Sequence, residues 1–164
     1  MRLAVLECII LATALIAIDP LTAQQRSLII DTDAAKDVTL GMDLDDDLAI
    51  LMALADDSTR VLDITVTYGN APARLCFANV KRLLRRVSAE HVPVHLGTDC
   101  TLPVPYLCSW AGGMDAPSEA SRAIVKRVMQ QPPGTVTLLA LGPLTNIAAA
   151  FRANVEVATR LKAF

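Results

Sequence analysis

Leu28-Ile29-Ile30-Asp31-Thr32-Asp33 and, after eleven intervening residues, Asp45-Asp46-Asp47-Leu48-Ala49-Ile50-Leu51-Met52-Ala53-Leu54-Ala55 are the segments on which the fold turns. The first is a short apolar run ending in two aspartates, the pattern of a buried strand that delivers carboxylates at its carboxyl end. The second places an acidic triplet ahead of a longer apolar run. That is the pattern of a helix whose first turn suits the positive end of the macrodipole. Seven acidic residues occupy the seventeen positions from Asp31 to Asp47, with Lys36 the only basic residue among them. Carboxylates gathered so closely repel one another strongly unless a cation or shared protons neutralise them. A hard divalent ion, Ca2+ or Mg2+, is the neutraliser that such oxygens favour. The pattern points to metal-assisted chemistry at the end of a parallel sheet.

Downstream, strand and helix signals alternate. Strands are predicted over 27–32, 61–67, 92–96 and 135–141, and helices over 45–55, 73–87, 118–131 and 144–152, with a proline-rich loop at 100–117. Ser118 is the expected N-cap of the third helix. Continuous apolar strands separated by helices imply an α/β, three-layer Rossmann-like fold with a mostly parallel sheet. Ligands of such sheets sit beyond the carboxyl ends of the strands. The polar punctuation falls there: Asp31 to Asp33, Gly69-Asn70, Gly97-Thr98-Asp99 and Gly142 to Asn146.

The 164 residues, 53% of them hydrophobic, suffice for one domain with one core. One Trp, two Tyr and three Phe leave that core to aliphatic side chains. A net charge of −2 argues against nucleic-acid binding, because no basic face is concentrated enough to neutralise phosphates. Lys81-Arg82 and Arg85-Arg86 read as the solvated side of an amphipathic helix. Residues 1–23 read as a secretory signal peptide: Arg2, an uncharged run from Cys8 to Ile18, then Leu21-Thr22-Ala23 before Gln24. The run is too short for a membrane span, so the expectation is a secreted domain over residues 24–164, with no membrane association after cleavage. An oxidising compartment could pair Cys100 with Cys108, while Cys76 reads as a small buried hydrophobe.

The strand-end residues carry a family resemblance. The D-x-D of Asp31-Thr32-Asp33 with Asp45-Asp46-Asp47-Leu48-Ala49 resembles the amino-terminal signature of the inosine–uridine-preferring nucleoside hydrolases. Thr65-Val66-Thr67-Tyr68-Gly69-Asn70, Val92-Pro93-Val94-His95-Leu96-Gly97 and the Gly142-Pro143-Leu144-Thr145-Asn146 segment resemble later blocks of the same family. The resemblance implies hydrolysis of N-ribosidic bonds, giving ribose and a free base. It implies Ca2+ bound by Asp33, Asp46 and the backbone carbonyl of Thr145, with Asp33 as general base toward a Ca2+-held water. Asp45 and Asn70 would bind the ribose hydroxyls of a ribonucleoside substrate. Two departures follow from the comparison. Residues 34–40 expand the acidic loop, so Asp37 or Asp43 could replace a usual ligand. The family also continues through further strands beyond the equivalent of Phe164, so the resemblance implies an amino-terminal portion, its sheet incomplete at the carboxyl terminus. Half a parallel sheet would expose apolar surface and invite association of copies.

Other readings stand beside this one. Asp31 and Asp33 could be the nucleophile and acid–base of a haloacid-dehalogenase-like phosphohydrolase using Mg2+, although Ala35 stands where that motif wants Thr or Val. The chain could instead be a non-catalytic secreted remnant that binds a cation or nucleoside. Thr145 and Asn146 could cap the last helix, Gly69-Asn70 could be only a turn, and Trp110 could wall a base pocket or anchor a loop. His91 and His95 have no carboxylate partner in sequence and read as surface or strand-edge residues.

Overall fold

The computed structural model describes residues 25–36, 44–98 and 117–164. The proposed signal peptide, Asp37, Asp43, Cys100, Cys108 and Trp110 lie outside them. The elements are β1 (Arg26–Thr32), α1 (Asp45–Ala55), β2 (Thr59–Val66), α2 (Ala73–Arg86), β3 (Val94–Leu96), α3 (Glu119–Gln130), β4 (Val136–Ala140), α4 (Thr145–Ala153), α5 (Glu156–Arg160) and β5 (Leu161–Ala163). Every strand pairing is parallel, in the order β3-β2-β1-β4-β5. The order reverses beside β1, so the crevice beyond its carboxyl end lies between the chain leaving β1 and that leaving β4.

Burial explains why β1 is apolar without alternation. Ile30 joins Ile50, Ile64, Val66, Val80 and Leu84 on the side covered by α1 and α2. Ile29 joins Leu62, Ile124, Val128, Leu138 and Ile147 on the side covered by α3 and α4. Both isoleucines are fully buried, because a central strand between two helical layers has no wet face. Each contributes roughly 2–3 kcal/mol of burial free energy.

The helices form for local reasons. In α2, the buried Cys76, Val80, Leu83 and Leu84 repeat at helical spacing, and Arg85 and Arg86 complement the negative carboxyl end of the dipole. Ser118 caps α3, its Oγ accepting the Ser121 N–H at 3.1 Å. Helix α1 is less amphipathic: Leu44, Leu48 and Met52 form an exposed ridge at successive i, i+4 positions. Among the described residues no helix is long and apolar enough to cross a membrane.

The predicted elements are present, with ends shifted by at most two residues. The additions are α5 and β5. One is five residues long and the other three, too short to show a hydrophobic period.

Candidate active site

Asp31 pairs in register with Thr65 of β2 on one side and Ala140 of β4 on the other, so β1 ends flush with both neighbours. The Thr67 N–H donates to the Thr32 carbonyl at 2.9 Å, and the Leu141 N–H to the Asp31 carbonyl at 2.8 Å. Asp33, the first residue past β1, is therefore launched from a fixed point. Its N–H donates to Asp46 Oδ2 at 3.2 Å, and the Thr32 hydroxyl donates to the same oxygen at 2.5 Å. Asp33 Oδ2 in turn accepts the Asn70 N–H at 2.9 Å. Asp33, Asp46 and the backbone of Asn70 are thus brought together. Asp45 stands at the edge of this group, exposed, its Oδ1 accepting the Asp46 N–H at 3.0 Å. Thr145 opens α4 across the crevice and donates its hydroxyl to the Tyr68 hydroxyl at 3.3 Å.

The electrostatics follow from burial. Burial pushes the Asp31 carboxyl up to about 7, despite opposing hydrogen bonds from Thr65 and Asn146, and the charges of Asp33 and Asp46 push the same way. Burial and the charge of Asp46 raise Asp33 to about 6, against the lowering effect of the Asn70 N–H. Asp31 Oδ2 and Thr67 Oγ1 are buried without a hydrogen-bond partner among the described residues. Among the described residues, negative charge and spare oxygen acceptors therefore accumulate here without a matching cationic side chain. That chemistry fits a hard cation as a partial donor set. Among the described residues, however, no group of three or more His, Cys, Asp or Glu side chains could hold a metal ion. The acidic cluster expected from sequence reduces, within those residues, to the Asp33–Asp46 pair and the buried Asp31 that feels their charges.

Other expectations are revised. Asp47 turns away from the crevice, and its Oδ1 accepts Asn79 Nδ2 at 3.0 Å, tying α1 to α2. Asn146 makes no helix cap; its side chain reaches back into the sheet toward Asp31 and Val66. Asp31 is fully buried, with Oδ1 occupied by Thr65 at 2.5 Å and by Asn146 at 2.9 Å. A nucleophile so enclosed cannot reach a phosphomonoester, which removes the physical basis of the dehalogenase-like reading.

His95 does have carboxylate partners: Nε2 lies 3.0 Å from Asp63 Oδ1 and Nδ1 lies 3.1 Å from Glu119 Oε1. Arg127 also grips Asp63, through Nε on Oδ2 and through Nη2 on Oδ1 at 3.2 Å. Hydrogen bonding to Asp63 raises the His95 pKa against burial. Burial alone would raise Asp63, but the bonds from His95 and Arg127 outweigh it and hold that carboxyl low. The available sequence signal was an aspartate inside a buried strand, which requires partners. Strand spacing could not identify them, since Arg127 is 64 residues away.

Two glycines are set by close approach. A Cβ on Gly69 would stand 1.8 Å from Asp33 Oδ2, so only glycine admits that carboxylate. A Cβ on Gly97 would stand 2.3 Å from the Val66 carbonyl oxygen and 2.4 Å from Asn146 Oδ1. Backbone cannot yield as a side-chain tip can, so Gly97→Ala is expected to lower stability by about 2 kcal/mol. Urea midpoints of the two proteins measure this; equal midpoints would contradict the packing described.

A groove of about 790 Å3 lies at the opposite, amino-terminal end of the strands, between the ends of α1 and α2. It contains none of the carboxylates above, whereas ligands of parallel sheets sit beyond the carboxyl ends of the strands, the end at which Asp33 stands.

Comparison with known proteins identifies the family and the fold. The family model described as inosine-uridine preferring nucleoside hydrolase matches residues 28–164. The chain is 30% identical to uridine nucleosidase 1 of Arabidopsis thaliana, an alignment covering 85% of this chain and 44% of that protein. It is 31% identical to probable uridine nucleosidase 1 of Oryza sativa subsp. japonica, covering 82% and 44%. The structure superposes on a plant nucleoside hydrolase, the PpNRh1 enzyme, with a TM-score of 0.65 at 26% identity, covering 83% of this chain and 45% of that one. The chain spans less than half the length of these relatives.

Proposed function

Because this chain belongs to the inosine-uridine preferring nucleoside hydrolase family, we propose that its strand-end carboxylates form part of a site that hydrolyses the N-glycosidic bond of ribonucleosides. In that reaction the bond from C1′ to the base breaks, water oxygen joins C1′, and the base departs with a proton. Asp33 is the general base. Its pKa near 6 leaves it ionised at neutral pH yet more basic than an ordinary aspartate, and the Asn70 N–H holds one of its oxygens in place. Asp46, and Asp31 when ionised, add negative potential that favours the positive charge developing on the ribosyl ring. Asp45 and Asn70, at the rim of the crevice, are the proposed contacts of the ribose hydroxyls.

Asp33, Asp46 and the Thr145 carbonyl are the proposed protein ligands of Ca2+. The ion would supply an anchor for sugar hydroxyls and acidity for a nearby water. Three protein ligands are fewer than the six to eight oxygens Ca2+ prefers, so water or substrate would complete the shell.

The observation that carries this reading is the meeting of Asp33 with Asp46 beside the Asn70 N–H, at the crevice of a parallel sheet. The test is reducing-sugar release by the full chain from inosine or uridine, with Ca2+ present and with chelator. Release that chelator abolishes is the expected result. Calcium binding by calorimetry without sugar release would favour the remnant that only binds a cation. Neither binding nor release would end both readings.

A further inference from the structure

We infer that Asn146 is a positioning residue whose side-chain amide sets where Asp33 and Asn70 stand. The inference rests on the assignment of Asp33 as the reacting carboxylate. Asn146 is 1% exposed, at the start of α4. Its Nδ2 donates to Asp31 Oδ1 at 2.9 Å and to the Val66 carbonyl at 3.1 Å, and its Oδ1 accepts the Ser118 hydroxyl at 3.3 Å. Both groups facing Nδ2 are acceptors only, so the amide has a single acceptable orientation.

This side chain links three segments at one level of the molecule. Asp31 stands two residues before Asp33. Val66 ends β2, four residues before Asn70. Ser118 is the N-cap of α3. The Val66 carbonyl also accepts the Gly97 N–H at 2.8 Å, and Gly97 packs against the Asn146 amide with no room for a Cβ. Without Asn146, Asp31 would keep, among the described residues, only the Thr65 hydroxyl as donor to its carboxylate, while its Oδ2 already lacks one. A buried carboxylate left that way must rotate or admit water. Either outcome shifts the end of β1 relative to β2, and the Asp33–Asn70 bond spans those two ends.

The test is residue-resolved amide hydrogen exchange on the full chain and on Asn146→Ala. Exchange at Asp33 and Asn70 is expected to accelerate about tenfold, the factor that loss of one hydrogen bond to a charged group implies. Exchange at Ile64 and Leu138, inside the sheet, should change by less than about twofold. A general loss of stability would speed all four amides alike and would overturn the inference, as would unchanged exchange at Asp33 and Asn70. If Asn146→Ala does not fold, Ser118→Ala retains the amide while removing its anchor. It should accelerate the same two amides by about threefold, and no selective change there would also overturn the inference. Where sugar release is measurable, kcat should fall in Asn146→Ala with KM little changed. Exchange reads positioning whether or not sugar is released, so failure of this inference and failure of the proposed activity give different results.

Discussion

Asp33→Asn is expected to lower nucleoside hydrolysis about 10^3-fold, within the range for loss of a general base, without lowering stability at pH 8. The two halves of that expectation share one cause. Asparagine keeps the shape of aspartate and offers Oδ1 to the Asn70 N–H, so the local turn keeps its bond. It cannot accept a proton, so the base is lost. Asp33 has its folded pKa raised to about 6 by burial and by the charge of Asp46. A carboxyl whose pKa rises on folding opposes folding once ionised, and the opposition is complete above that raised pKa. Replacing it by a neutral amide removes repulsion among Asp31, Asp33 and Asp46, so the variant should unfold at equal or higher urea than the parent at pH 8. Below about pH 4, where both folded and unfolded carboxyls are protonated, the difference should vanish. Full activity in Asp33→Asn would remove Asp33 from the chemistry. Lost activity together with lost stability would make it a structural residue instead.

The fold was legible because its central strand leaves so little choice. Ile29 and Ile30 face opposite layers and both are buried, so the run had to be uniformly apolar, and such a run between helices implies a parallel sheet. Placing Asp33 and Asp46 near each other required only that a strand end meet a helix start. The finer arrangement required contacts that no local pattern encodes. Asn146 lies 115 residues from Asp31, and its position at the start of a helix suggested a cap, the commoner role for asparagine there. Asp47 belongs to the same triplet as Asp46, but successive helical residues point about 100° apart, so one faces the crevice and the other faces Asn79. Spacing alone overcounted the converging carboxylates for that reason.

Outside the crevice, the buried charge on β2 leads to the second large effect. Arg127→Met is expected to cost about 3 kcal/mol at pH 8.5 and about half as much at pH 5.5, measured as urea unfolding free energies. Methionine keeps most of the apolar stem of arginine, so the change removes the guanidinium bonds rather than the packing. Asp63, 2% exposed, would then have His95 as its remaining partner among those described above. The sign follows from linkage. His95 has its folded pKa raised above 6.5, so its contribution is fully present below about pH 6.5 and is lost as pH rises through the raised value. Asp63 has its folded pKa depressed below 3.8, so its contribution is present above about pH 4 and is lost as pH falls through the depressed value. Between those limits an imidazolium faces Asp63 with one nitrogen and Glu119 with the other, and can compensate the buried carboxylate when Arg127 is gone. Once pH has risen through the raised His95 value, a neutral imidazole supplies only a hydrogen bond, and a nearly uncompensated buried charge must draw in water or a proton. The same cost at both pH values would show that His95 does not share the charge of Asp63. A larger cost at pH 5.5 would reverse the linkage derived from the geometry.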